Sequence, residues 1–555
     1  MLRHLLCLLG LSAFLPAILV QGGPLETFDD VVASLRAGHL VTGNFDTTQC
    51  EDSSVPEPIL ASLHYDEWQY VDTPETGLAI TGMHNFMTPD GAFVIVFSYV
   101  TPSGISGFNA YQVATETGLV QDSFTAFCTL GTGATFVEKD NHQPDTPVTS
   151  YDDLMTALTE GRQLVLTAVI TDCEHSLPPE VTLAESGSTY YQYYVLSDAG
   201  GDEVLILEWP GLSLSANEGE TVYLVIRATI SQDGSTHITA HEYNSLTWED
   251  EYPYPEGFQC VLGDNVNVYY SSEDTIDTLG SYDEVEAAFM EGKDLQASVD
   301  VSSCSGTFPD GLMVAGAIIL AWADDVGGET PGIHFSQSIA NRNKNHIRTV
   351  FYLKVISVFS APHSSISFPI EAGDVVIQEF LLGEDGVLQV LATAFNPVDP
   401  GDVPDVSAFT CDIGDGVTFT APAYNRVELT TYASVMEAQL SGSKLTAEID
   451  FSQCEDPTGE LDLTGLTAGA YFRYVTILGF GTPEERMFGS GFGVHSDPNS
   501  GVAYETFAAT VDTSNNALAY PGYWRADESG TWGNDFGEAV LECALGAGIM
   551  IFGEA

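Results

Sequence analysis

The chain has 555 residues, a length that predicts several domains. Its residues are 44% hydrophobic and 11% aromatic, which excludes a disordered acidic tail. The 79 acidic residues outnumber the 15 basic ones and give a formal net charge of −64. Because phosphate binding requires Lys and Arg, this charge argues against nucleic acid and anionic membranes as partners. Divalent cations, mineral surfaces and basic extracellular proteins remain, and solubility alone is the alternative reason for the charge.

Residues 1–22 predict a signal peptide. Arg3 and His4 give a basic start, an apolar run follows from Leu5 to Val20, and small glycine residues then supply a cleavage region. The apolar run is shorter than the ~20 residues of a membrane anchor, which is the alternative. We therefore expect a secreted, extracellular protein with no membrane span and no C-terminal lipid anchor.

One sequence pattern occurs four times along the chain. In each copy an aromatic residue is followed after 10 positions by a glycine and after 22 positions by a cysteine. The aromatic residues are Phe28, Tyr151, Tyr282 and Tyr432, the glycines are Gly38, Gly161, Gly292 and Gly442, and the cysteines are Cys50, Cys173, Cys304 and Cys454. A second cysteine closes each copy, at Cys128, Cys260, Cys411 and Cys543. The pattern predicts four tandem units, residues 27–138, 150–271, 281–421 and 431–555, which we name units 1 to 4.

Each unit is expected to be an α+β domain with one N-terminal helix and a mostly antiparallel sheet. Helix N-caps are predicted at Thr27, Ser150, Ser281 and Thr431, and the glycine is expected to end the helix after about ten residues. Apolar, β-branched segments such as Leu164–Ile170 and Thr221–Ile226 then predict strands. Polar, turn-rich linkers such as 141–149 and 272–280 predict that the units fold independently.

The cysteines predict a disulfide framework. Cys7 lies in the signal peptide, so the mature chain keeps eight cysteines. Two cysteines at equivalent places in each unit imply one bond within each unit. The expected bonds are Cys50–Cys128, Cys173–Cys260, Cys304–Cys411 and Cys454–Cys543.

The opening and closing segments of the units resemble those of the VirK family. That family joins a Tyr-x-x-Val-x-x-x-Leu-x-x-x-Gly helix to a strand ending in Asp-[Tyr/Phe/Leu]-Ser-x-Cys. The best matches are Tyr282 to Cys304 and Tyr432 to Cys454, and Phe409 to Phe419 resembles the closing segment. The resemblance covers the first quarter and the last residues of each unit. It implies an exported protein and supplies no catalytic residues, and four copies depart from the usual single VirK-like domain.

No motif assigns a catalytic or cofactor-binding residue. His237 and His241 are a candidate metal pair at a spacing of four, but they lack a third ligand, so two polar residues on an exposed strand face are the favoured interpretation. Asp274–Asp277 and Asp324–Glu329 supply carboxylates without the order of a calcium-binding loop. We expect no required cofactor, leave the metal ligands unknown, and keep weak, multi-site Ca²⁺ binding as a prediction.

These observations favour a non-enzymatic extracellular binding protein. Its acidic surface would bind divalent cations, a mineral or a basic partner, as in a calcified or gel-like extracellular matrix. A secreted enzyme is one alternative and would have a polar cleft in one unit alone. A multivalent recognition protein is another and would have matching pockets in all four units. Unit 3 also contains a basic segment, Asn341–His346, that predicts a surface loop.

Overall fold

The structure of the protein, a computed structural model, describes most of the chain after residue 23. The described residues are 24–73, 77–88, 92–113, 119–138, 147–175, 182–190, 192–197, 202–214, 221–244, 257–270, 275–306, 312–319, 321–325, 332–335, 339–343, 346–350, 357–358, 375–383, 385–395, 405–423, 426–457, 466–472, 474–495, 503–526, 532–534 and 540–554. The predicted signal peptide and parts of the two predicted linkers lie outside them. No helix within these ranges has both the length and the apolar character needed to cross a membrane.

Four helices of nine residues begin at the four repeated aromatic residues. They are α1 (Phe28–Arg36), α2 (Tyr151–Thr159), α3 (Tyr282–Met290) and α4 (Tyr432–Leu440). Each N-cap hydroxyl accepts the backbone N–H of the residue three positions on, which satisfies a donor that the helix itself cannot. The glycine after each C-cap has a positive φ, between 66° at Gly292 and 81° at Gly161, a conformation that favours glycine. The predicted helices are confirmed.

Strands make up most of the remaining described chain. The first group is β1 (Pro24–Leu25), β2 (Val41–Asp46), β3 (Asp52–Ser53), β4 (Ile59–His64), β5 (Glu67–Thr73), β6 (Gly77–Met87), β7 (Phe93–Val100), β8 (Ile105–Val113), β9 (Val120–Leu130) and β10 (Gly133–Glu138). The second is β11 (Leu164–Ala168), β12 (Glu174–His175), β13 (Thr182–Tyr190), β14 (Gln192–Ser197), β15 (Glu203–Leu214), β16 (Thr221–Ser231), β17 (Ser235–Asn244), β18 (Phe258–Val261) and β19 (Val266–Tyr269).

The later strands fall into two further groups. The third is β20 (Ile276–Leu279), β21 (Leu295–Asp300), β22 (Ser305–Gly306), β23 (Leu312–Ile319), β24 (Ala321–Asp325), β25 (Gly332–Phe335), β26 (Ile339–Asn343), β27 (His346–Val350), β28 (Ser357–Val358), β29 (Val375–Gly383), β30 (Val387–Phe395), β31 (Asp405–Ile413) and β32 (Gly416–Pro422). The fourth is β33 (Arg426–Glu428), β34 (Thr446–Asp450), β35 (Leu466–Tyr471), β36 (Tyr474–Leu478), β37 (Arg486–His495), β38 (Ala503–Asp512), β39 (Asn516–Ala526), β40 (Trp532–Asn534), β41 (Leu541–Ala544) and β42 (Ile549–Glu554).

The protein is therefore mostly β-sheet with a few short helices. Most strand pairs are antiparallel, but the sheets are mixed because β9 pairs in parallel with β10 and β31 with β32. Over the described ranges, the pairings link the strands into sheets of 19 and 21 strands and one two-stranded hairpin.

The hairpin corrects one expectation about unit 3. β26 and β27 pair in antiparallel register, so Asn341–Asn343 and His346 of the predicted surface loop lie in strands, and residues 344–345 lie outside the described part. The basic residues of this segment had predicted a surface loop. The flanking β-branched residues Ile339, Ile347 and Val350 favour strands instead.

The predicted units are joined edge to edge by antiparallel strands. β5 of unit 1 pairs with β13 of unit 2, β14 of unit 2 with β23 of unit 3, and β24 of unit 3 with β35 of unit 4. β36 of unit 4 then pairs with β4 of unit 1, which closes a circuit of strand pairings. The connecting strands also pair within their own units, as β4 does with β2. Each predicted unit therefore shares backbone hydrogen bonds with two others.

Strands β4 and β36, at the junction of units 1 and 4, are buried on both faces. Ala61 and Leu63 of β4 pack in the core of unit 1, whereas Leu60 packs in the core of unit 4. On β36, Tyr474 packs in the core of unit 1 and Val475 in the core of unit 4. Because successive side chains of a strand point to opposite faces, one strand supplies two hydrophobic cores. Units 1 and 4 therefore share core residues as well as hydrogen bonds.

The C-terminal end of each helix packs against the following unit. A Cβ atom on Gly38, Gly161, Gly292 or Gly442 would lie at most 3.0 Å from a side-chain atom of Tyr269, Thr420, Phe552 or Thr42, respectively. Glycine thus meets two requirements here, a positive φ and the close approach of a neighbouring strand.

Polar side chains reinforce the same junctions. Arg36 of α1 forms a bidentate pair with Glu185 of β13, in which Nε donates to Oε2 at 2.6 Å. Lys444 of unit 4 lies 3.5 Å from Gln163 of unit 2, measured from Nζ to Oε1. The Lys444 contact therefore connects unit 4 directly with unit 2, although these two units are not consecutive in the chain.

Candidate functional site

The repeated cysteines form four disulfide bonds, Cys50–Cys128, Cys173–Cys260, Cys304–Cys411 and Cys454–Cys543. One bond lies within each predicted unit, in the pairing expected from the sequence.

The residues just before the first cysteine of a unit stabilise the backbone that leads into the disulfide. Asp300 Oδ1 accepts the Ser302 N–H at 2.9 Å and caps a short 3-10 helix, Val301–Ser303, that leads into Cys304. The Asp-x-Ser-x-Cys motif is thus structural.

The candidate histidine pair lies on β17. His237 and His241 are four positions apart on one strand and share a face. The expectation of an exposed pair is wrong for His241, whose side chain is buried on the face of β17 opposite to Ile238 of the unit 2 core. Among the described residues, no group of three or more His, Cys, Asp or Glu side chains is arranged to hold a metal ion. The carboxylates of Asp274 and residues 326–329 lie outside the described ranges.

An apolar cavity of 410 Å³ lies between units 1 and 4. The lining side chains from unit 1 include Ile59, Ala61, Leu63, Val96, Phe108 and Ala110, and those from unit 4 include Tyr474, Thr476, Leu478, Phe488, Thr510 and Tyr520. Its volume falls within the range of small-molecule sites, about 300–1,000 Å³. Strands β36 to β39 of unit 4 contribute to this lining together with β4, β6, β7, β8 and β9 of unit 1.

Aromatic side chains fix one wall of this cavity. Phe86 of β6 and Tyr474 of β36 stack across the unit boundary with ring centroids 3.8 Å apart and planes 7° from parallel. Phe488 of β37 approaches the same Phe86 ring at 6.1 Å. Burial raises the pKa of the Tyr474 hydroxyl to about 12, so the wall is uncharged at physiological pH.

Among the polar side chains that line the cavity, two are charged. Arg486 and Glu57 both contribute to the lining and are half-buried. The Nη1 of Arg486 lies 3.4 Å from its own chain at the carbonyl of Glu484, which is a weak hydrogen bond. Within the described part of the chain, no carboxylate lies at salt-bridge distance from Arg486, although the protein has far more acidic than basic residues.

Asp512 is the cross-strand neighbour of Arg486, but its oxygens are engaged elsewhere. Oδ1 accepts the backbone N–H groups of Ser514 and Asn516 at 2.8 and 2.9 Å, and Oδ2 accepts from Asn516 Nδ2 at 2.8 Å. These hydrogen bonds hold the pKa of Asp512 below its usual value despite partial burial. The carboxylate therefore closes its own turn and leaves the Arg486 guanidinium available.

Two other acidic side chains are buried at unit junctions, away from the cavity. Glu67 of β5, opposite Ser188 of β13, is 4% exposed, and its Oε2 has no hydrogen-bond partner in the described structure. Glu448 of β34 is 0% exposed and accepts the Gly292 N–H at 3.1 Å through Oε1. Burial raises the pKa of each carboxyl group to about 8. Both are protonated, neutral groups at mildly acidic pH.

His84 is the corresponding buried base of unit 1. It lies 3.0 Å from Ser98 Oγ, and burial lowers its pKa to about 3. The neutral imidazole packs edge-on against the Tyr65 ring. A base held neutral in this way satisfies a buried hydroxyl, and His84 is not among the residues that line the cavity.

Sequence reasoning identified the disulfide residues and missed the cavity. Its lining comes from residues more than 400 positions apart, such as Ala61 and Thr476, whose Cα atoms are paired in the β4–β36 ladder. A local signal was the mostly apolar segment Ile59–Leu63, interrupted by Ser62, which is typical of strands buried on both faces.

Comparisons with known proteins add little to this description. No protein-family profile matches the chain, and no curated protein matches it. One similar solved structure is the crystal structure of a VirK family protein from Legionella pneumophila, at 15% identity and a TM-score of 0.18, covering 26% of this chain and 97% of that one. A TM-score this low carries no structural argument, so the family resemblance rests on the sequence motifs.

Proposed function

We propose that this protein is a secreted, non-enzymatic binding protein that carries a small apolar molecule in the cavity between units 1 and 4. The single observation that carries the proposal is the 410 Å³ cavity with its apolar, aromatic lining. Two predicted units must come together to enclose it. The proposal includes the four-unit organisation, supported by four equivalent helices, four disulfides and the closed circuit of strand pairings.

The test is binding of a neutral apolar chain, decan-1-ol, by isothermal titration calorimetry. We expect saturable binding with a negative heat-capacity change, because apolar surface is removed from water. Ala110→Phe should abolish it, since Ala110 lines the cavity and the added ring fills the space. Asn109→Phe is the matched control, because it adds the same ring to the opposite face of β8. Absence of binding, or equal binding by wild type and Ala110→Phe, would overturn the proposal.

A second candidate function is weak binding of divalent cations, a mineral surface or basic matrix partners. It is supported by the excess of 79 acidic over 15 basic residues in a chain whose first residues predict a signal peptide. Carboxylates crowded on one surface share Ca²⁺ through several oxygens, whereas Na⁺ only screens them.

Thermal unfolding distinguishes cation binding from simple charge screening. Cation binding to the folded form predicts a higher Tm in millimolar Ca²⁺ than in NaCl of equal ionic strength. The gain should disappear near pH ~4, where many carboxylates are protonated. Equal Tm values in the two salts would leave solubility as a sufficient reason for the acidity.

A further inference from the structure

The cavity between units 1 and 4 combines an apolar interior with one arginine at its margin. In a protein with a net charge of −64, a guanidinium without an acidic partner is unusual, because carboxylates are available over most of the surface. Arg36, Arg162 and Arg426 each pair with a carboxylate, those of Glu185, Glu160 and Asp294. Arg486 lines the cavity and, among described residues, has no such pair.

The surroundings of Arg486 keep it available for a ligand. Its cross-strand neighbour, Asp512, is committed to the turn at Ser514 and Asn516. A guanidinium that is half-buried beside apolar side chains loses part of its hydration. An anionic group at this place would restore the lost interactions through two parallel hydrogen bonds.

We infer that the cavity binds an anionic amphiphile, a molecule with an aliphatic chain and a carboxylate head, with the chain among the apolar side chains and the head on Arg486. This inference rests on the proposed function and adds the charge of the ligand to it. Phe86, Tyr474 and Phe488 contact the chain, and the Arg486 guanidinium pairs with the carboxylate. Glu57, also at the margin, repels the carboxylate and keeps the affinity moderate.

Three probes of equal chain length test the inference on the full-length protein: decanoate, decan-1-ol and decylammonium. A hydrogen-bonded ion pair in a partly buried site should make decanoate bind about 10–100-fold more tightly than decan-1-ol. Decylammonium should bind more weakly than the alcohol. The preference for decanoate should decrease as salt concentration rises, because the head group lies at the margin.

Substitutions assign the preference to one side chain. Arg486→Gln should reduce the affinity for decanoate to that for decan-1-ol while leaving the affinity for the alcohol unchanged. Arg486→Lys should retain part of the preference, since the charge remains without the bidentate geometry. Glu57→Gln should strengthen decanoate binding. Arg162→Gln, which removes one positive charge at a Glu160 pair away from the cavity, is the control and should leave all three affinities unchanged.

The outcomes separate the two proposals. If decanoate and decan-1-ol bind equally, the charge inference is overturned while the carrier function stands. Tighter binding of decylammonium would overturn it as well, because Glu57 would then provide the head-group contact. If none of the three probes binds, the carrier function and the charge inference both fail. Retention of the preference in Arg486→Gln, with an unchanged Tm, would show that another residue selects the ligand.

Discussion

At the scale of single residues, Glu67 and Glu448 differ from the other carboxylates because they are buried at unit junctions. A carboxyl group whose pKa rises on folding binds its proton more tightly in the folded than in the unfolded protein. It therefore stabilises the fold below the unfolded pKa of about 4.3, and that stability is lost as pH rises toward the folded value of about 8. The junctions between units 1 and 2 and between units 3 and 4 should thus weaken between mildly acidic and mildly alkaline pH.

Glu448→Gln tests this effect at one junction. The amide stays neutral and its oxygen still accepts the Gly292 N–H, so the variant lacks the cost of ionising a buried carboxyl group. We expect its free energy of unfolding to fall less than that of the wild type between about pH 5 and about pH 9, by roughly 2 kcal/mol or more. Glu437→Gln removes an exposed carboxylate of α4 in the same unit and controls for general charge repulsion. Parallel pH profiles for both variants in denaturant titrations would contradict the assignment.

At the scale of elements, the helices could be predicted and the junctions could not. The caps Thr27, Ser150 and Ser281 and the glycine at each helix end act within a few residues, so the local sequence specifies them. The pairing of β36 with β4 depends instead on two edges that meet from opposite ends of the chain. An apolar segment shows that both faces are buried, but not which strand covers the second face. The cavity depends on the pairing of β36 with β4, so it could not be predicted from the sequence either.

Substitution of a helix-end glycine measures how tightly an element packs on the next unit. Gly292→Ala should cost roughly 1–2 kcal/mol for its positive φ, and overpacking against Phe552 should add about 1–3 kcal/mol. Gly414→Ala is the matched control, because Gly414 also has a positive φ of 80° but has nothing within 4 Å of an added Cβ. Denaturant unfolding of the two variants gives the difference. Equal losses of stability would mean that the helix end is not tightly packed at this junction.

At the scale of the whole molecule, the four predicted units share strand ladders with one another. Unit 3 contributes β23 to a ladder with unit 2 and β24 to a ladder with unit 4. Separated from its neighbours, it would expose two unpaired edges, and its α3 end would lose the contact of Gly292 with Phe552. The polar, turn-rich composition of the linkers predicted independent units. Linker composition indicates local flexibility, but it carries no information on whether the strands of one unit pair with those of another.

Unit 3 on its own should not fold cooperatively, which is the opposite of the expectation from the linkers. A segment of residues 281–422, produced under oxidising conditions, should show no cooperative thermal transition, whereas the full chain should unfold in a concerted one. The segment must first be shown by peptide mapping to contain the Cys304–Cys411 bond, so that a missing disulfide does not account for the result. Calorimetry and circular dichroism then report the transition. A sharp, reversible transition of the isolated segment would show that the junction strands add contacts to an already stable domain, and the closed circuit would not be required for folding.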